Sequence, residues 1–119
     1  MPAGDVQRSL LLAEQQAALA RLAALEREFA GIVDAAAAAN ADDEHDPEGA
    51  TIAFERQHVA AQLGLARDQL SRVCAALRRL EDGSYGRCER CGLPIPGERL
   101  AARPTATTCV GCASRRLSG

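Results

Sequence analysis

The stretch IAFERQHVAAQLGLARDQLSRVCAALRRLEDG, residues 52–83, decides how the chain folds. Ile52, Val59, Leu63, Ala66, Leu70, Val73, Leu77 and Leu80 recur at steps of 7, 4, 3, 4, 3, 4 and 3, the signature of a helix with one apolar seam. A seam of that length has to be covered by a second helix. The upstream residues supply one. From Asp5 to about Asn40 there is no Pro, and Leu11, Ala18, Leu22, Leu25, Phe29, Ile32 and Ala36 repeat at threes, fours and sevens.

Between the two patterns lies ANADDEHDPEG, residues 39–49, with five acids and no bulky apolar side chain. The chain is expected to turn there. Asp46 reads as a helix N-cap, Pro47 as the first helical residue and Glu48 as a first-turn acid. Two helices of about 35 residues joined by a short turn run antiparallel, each about 50 Å long at a rise of about 1.5 Å per residue. Gly83 supplies the C-cap of the second helix. Gly31 and Gly64 fall inside helices, where each costs about 1 kcal/mol relative to Ala; they read as tolerated defects rather than as points of close helix approach.

The 119 residues sit near the modal domain size, so one fold with at most a small satellite is expected. Three aromatics, Phe29, Phe54 and Tyr85, leave little bulk for a wide core, although 47% of the residues are apolar. Leu and Ala on helices must carry the burial. Fourteen Arg, no Lys and sixteen acids give a net charge of −2, which argues against non-specific coating of nucleic acid or adsorption to membranes. No apolar stretch approaches the roughly 18 residues that a membrane span needs, and residues 1–5 lack the start of a secretion signal. A cytoplasmic protein is expected.

Four of the five cysteines form two pairs, Cys88-x-x-Cys91 and Cys109-x-x-Cys112, with seventeen residues between them. This is the spacing of a four-thiolate zinc site rather than of disulfides or two redox dithiols. Gly92 and Gly111, next to ligands, are expected to take positive φ. Four sulfurs leave no open coordination position, so one structural Zn2+ is expected, serving to fold a segment too small to fold alone. Residues 1–83 then form a long antiparallel coiled-coil helical hairpin with an acidic tip at 40–49, and residues 84–119 a four-cysteine zinc finger ending in a short helix. The fold class is mainly α.

The finger carries Tyr85-Gly86-x-Cys88-x-x-Cys91-Gly92-x-Pro94-Ile95, then Arg99-Leu100-x-Ala102-Arg103-Pro104-x-Ala106, then Cys109-x-x-Cys112. This resembles the C4 zinc finger of the bacterial DksA/TraR family. The resemblance implies a long helical hairpin beside the finger. It also implies a monomeric transcription factor that binds RNA polymerase, inserting the hairpin through the secondary channel toward the active centre without binding specific DNA itself. The family's tip motif, Asp-x-x-Asp-x-Ala, falls on residues 43–48, which makes Asp43, Asp46 and Glu48 the polymerase-modulating tip. Glu48 stands where the family has Ala. Phe54 follows at a spacing the family also uses. Some members act with guanosine tetraphosphate; Arg67, Arg72, Arg78 and Arg115 are the basic residues available for it here.

Residues 1–85 carry a formal charge of −6 and residues 86–119 one of +4, which becomes +2 with four thiolates and one zinc. An acidic tip opposite a basic base suits a probe that enters a cationic, metal-bearing tunnel, and it equally suits solubility. Cys74 follows the seam residue Val73 and reads as a small half-buried thiol rather than a redox switch. His45 lies among acids and His58 off the seam. No nucleophile or base constellation accompanies the carboxylates, so no catalytic residues are assigned. The competing function is a nucleic-acid-binding zinc module, favoured by clustered Arg and opposed by the acidic body and the absence of Lys.

Overall fold

The structure is a computed structural model that describes residues 3–42 and 47–118. Four helices follow in order: α1 (Ala3–Asp42), α2 (Pro47–Asp82), α3 (Gly97–Ala102) and α4 (Val110–Ser118). Among the described residues there is no strand, only an isolated antiparallel bridge between Arg87 and Pro94. The chain is mainly helical, as the two periodic patterns require. Pro47 is the first residue of α2, and α1 runs two residues beyond Asn40.

By its contacts the chain divides into two compact units. One comprises Ala17–Leu70. Here α1 and α2 lie antiparallel: Arg21 Nη2 donates to Gln62 Oε1 at 2.6 Å, and the Arg56 guanidinium stands 5.8 Å from the centre of the Phe29 ring. Ala18, Val59, Leu63 and Ala66 are buried in this pairing, with Leu22, Leu25, Phe29, Ile32, Ala36, Ile52 and Leu70 half-buried. Every seam position predicted in this unit is therefore covered. Leu19, Val33, Phe54 and Leu65 stay exposed, because two helices can cover only one face of each other.

The other unit comprises Met1–Gln16 and Ser71–Gly119. Its helical part is centred on Leu11, Val73 and Ala76, which have no exposed surface, with Leu77, Leu80 and Tyr85 packed against them. Burying Leu11 and Val73 contributes about 1.5–3 kcal/mol each. Gln15 occupies the seam between Leu11 and Ala18 and donates from Nε2 to Cys74 Sγ at 3.5 Å. Cys74 is thus a half-buried thiol with a polar neighbour, as its place after Val73 implies.

Helix α2 ends in a double cap. Ser84 and Tyr85 both donate their backbone N–H to Arg79 O, at 3.0 and 3.1 Å, and Gly83 between them and the helix has φ +84°. Ser84 N and Oγ donate to Asp82 Oδ1, which holds the Asp82 carboxyl below the usual carboxylate range. Gly31 and Gly64 sit inside helices with nothing within 4 Å of an added Cβ, so neither marks a close helix approach.

Candidate metal centre

The finger begins where the α2 cap ends. Ile95 N donates to Gly86 O at 2.7 Å and Cys88 N to Leu93 O at 2.9 Å, so residues 86–95 fold back on themselves and carry Cys88 and Cys91 on the turn. Gly92 N closes that turn on Cys88 O with φ +76°, as expected for the residue after the second ligand. Gly111 departs from the expectation. It has no positive φ, because Val110 already starts α4 and Gly111 lies in its first turn. The second pair is presented by a helix start rather than by a second tight turn: Ala113 N donates to Cys109 O at 3.0 Å, and Cys112 sits within α4.

Two cross-links bring the pairs together. Glu89 N donates to Thr107 O at 2.9 Å, and Arg99 Nε donates to Thr108 O at 2.8 Å, where Thr108 is buried. Arg99 reaches this carbonyl from α3, a six-residue helix that the sequence patterns did not indicate. The result is a cluster in which one ligand atom from each of Cys88, Cys91, Cys109 and Cys112 lies within 4.8 Å of all the others. Cys88 and Cys112 are buried, Cys109 is half-buried and Cys91 is exposed. Cys74, on the helical seam, is not part of the group.

Sulfurs around one tetrahedral zinc, with bonds of about 2.3 Å, stand about 3.8 Å apart. Cys91 Sγ and Cys109 Sγ are separated by 3.9 Å. The electrostatics point the same way. Backbone N–H groups, those of Cys91 first and then Cys109, lower the Cys88 thiol to about 6, and that of Cys112 lowers Cys109. Cys112 is pushed up to about 12, chiefly by the side chains of Cys109 and Cys88. Four sulfurs this close cannot all be anions by themselves, and a bound dication removes that conflict. The donor set fits Zn2+ held by all four thiolates, with no position left for water or substrate. Such an ion contributes a structural cross-link.

Around the cluster lies a small apolar core of Cys88, Ile95, Leu100 and Cys112, packed by Tyr85, Ala106 and Cys109. Tyr85 and Arg99 stand at the head of the two motif blocks quoted above, but the spacing assigned them no role; the structure shows them supporting the cluster, Tyr85 by packing and Arg99 by its bond to Thr108 O. Of the expected tip residues, Asp43 and Asp46 lie outside the described residues, and Glu48 falls in the first turn of α2.

Residues 83–116 match the prokaryotic dksA/traR C4-type zinc finger family. The RNA polymerase-binding transcription factor DksA of Caulobacter vibrioides is 55% identical over 49 residues, 41% of this chain and 34% of that protein. The protein of the same name from Escherichia coli is 41% identical over 46 residues, 39% of this chain and 30% of its own length. The matched segments therefore span about a third of these relatives. A solved structure, that of transcription factor DksA2 from Pseudomonas aeruginosa, superposes with a TM-score of 0.81 at 30% identity, covering 97% of this chain and 83% of that one.

Proposed function

The chain belongs to the DksA/TraR family of C4-type zinc-finger proteins, and from that premise we propose that it is a transcription regulator acting on RNA polymerase. The observation that carries this reading is the extent of the likeness to a transcription factor, which takes in the helical pair as well as the finger. In this reading residues 84–119 are a docking base held by one zinc on Cys88, Cys91, Cys109 and Cys112. Residues 1–83 are a probe that enters the secondary channel, with Asp43, Asp46 and Glu48 at the end that modulates initiation. The protein acts as a monomer in the cytoplasm and catalyses nothing itself, consistent with a metal site closed by four thiolates.

Guanosine tetraphosphate is a second partner in this reading. Its phosphates call for guanidinium groups, and Arg72, Arg78 and Arg115 all belong to the unit that holds the metal cluster, whereas Arg67 belongs to the other. The test is in vitro transcription with polymerase of the source organism, with and without the protein and the nucleotide, beside a polymerase pull-down. Altered promoter output together with polymerase capture supports the reading. A gel shift of promoter DNA without polymerase capture would instead make the chain a nucleic-acid-binding zinc module.

A further inference from the structure

Tyr85 belongs to two apolar clusters at once. It packs against the helical cluster formed by Leu11, Val73 and Ala76, and also against the finger core that includes the metal-site residues Cys88 and Cys112. Both of its polar ends are tied down on opposite sides. The backbone N–H donates to Arg79 O in the last turns of α2 at 3.1 Å, and the hydroxyl donates to Pro104 O in the finger at 2.7 Å. The next residue, Gly86, accepts from Ile95 N and so already belongs to the finger. All of these residues lie in the same compact unit.

We infer that Tyr85 is the positioning residue through which the metal centre holds the base of the helical pair. The finger core has four buried residues, two of them ligands, and cannot keep its shape without the ion. When the ion leaves, Pro104 and the Cys88 and Cys112 side of the core disperse, and Tyr85 loses its hydroxyl partner and half of its packing. Tyr85 then no longer braces the cluster of Leu11, Val73 and Ala76, so the ends of α1 and α2 that meet there loosen. Coupling of this kind is reciprocal: the factor by which bound metal favours the ordered helical base is the factor by which an ordered base tightens retention of the metal. The inference concerns zinc and the helices alone and does not depend on the polymerase reading.

The test is amide hydrogen exchange of the full chain over residues 7–15 and 71–82, in the zinc-loaded form and after stripping with a chelator. Stripping is expected to accelerate exchange in both segments at least about tenfold in the native chain. Tyr85→Phe keeps the ring and loses the Pro104 bond; with zinc bound it is expected to exchange about two- to tenfold faster there, the worth of one hydrogen bond. Tyr85→Ala is expected to exchange fast in both segments whether or not metal is present. Cobalt absorbance of the thiolate site, recorded in parallel, separates loss of metal from loss of transmission. Unchanged protection on stripping the native chain overturns the inference, as does a Tyr85→Ala protein whose exchange still depends fully on metal. Should Tyr85→Ala fail to fold, Tyr85→Phe decides: native protection in residues 7–15 and 71–82 overturns the inference, and loss of protection with cobalt absorbance intact supports it.

Discussion

The sulfurs of Cys91 and Cys109 lie 3.9 Å apart across eighteen positions of sequence, the separation that two ligands of one tetrahedral ion share. One zinc per chain is therefore expected, released when any of Cys88, Cys91, Cys109 or Cys112 is replaced by Ser. Residues 84–119 should unfold with it. Metal analysis of Cys88→Ser and Cys74→Ala checks this. Full occupancy in the first, or loss of zinc in the second, would contradict the assignment, since Cys74 is paired with Gln15 on the helical seam.

Leu11 and Leu65 are the same residue type in opposite surroundings, the first fully buried and the second 63% exposed. Leu11→Ala is expected to cost about 2–5 kcal/mol, and Leu65→Ala about 0.5 kcal/mol or less. Leu77→Asp should be worse than either, because it puts a carboxylate against Val73 and Ala76 with no partner. Urea unfolding followed by circular dichroism measures all three. Equal midpoints for Leu11→Ala and Leu65→Ala would mean the seam lies on another face.

Two glycines of α2 and its cap should respond to Ala in opposite directions. Gly64 lies in the helix interior with nothing within 4 Å of an added Cβ, so Gly64→Ala is expected to stabilise by about 0.5–1 kcal/mol. Gly83 has φ +84°, a conformation that Ala reaches only with strain, so Gly83→Ala should destabilise by about 1 kcal/mol or more. Shifts of the same sign in the two denaturation curves would overturn one of these assignments.

The helical pair was legible because its information is periodic. Each apolar residue assigned to the seams, from Leu11 to Leu80, is buried or half-buried. The polar and small members of the same stripe, Gly4, Gln7 and Gln15, are half-buried too, but their side chains carry no hydrophobic signal. The metal cluster was legible because two-residue gaps between cysteines constrain local geometry. Helix α3 was not, since six residues are too few to show a period. Gly111 was misread because a Gly beside a ligand can serve a tight turn or a helix start, and the choice depends on Val110 already being helical. The double role of Tyr85 is a tertiary fact.

The last prediction concerns residues 43–46, which join Asp42 to Pro47 and lie outside the described residues. If the helical pair is a probe whose base docks while its end works on the polymerase, binding and effect should separate by position. Affinity would then come from broad apolar and Arg surfaces, and a few acids would contribute little to it. Asp43→Asn should therefore preserve polymerase capture and lose most of the change in promoter output. Asp46→Asn is the matched control, because Asn caps a helix about as well as Asp while removing the charge. A deficit in both variants with unchanged melting identifies tip charge as the working feature, and a deficit in neither leaves the turn as solvated structure. Glu48→Ala restores the residue at the corresponding place in the family motif and should increase or alter the effect if that position is used. Loss of polymerase capture in Asp43→Asn would instead mean that the turn itself docks, and the division between docking base and working tip would have to be abandoned.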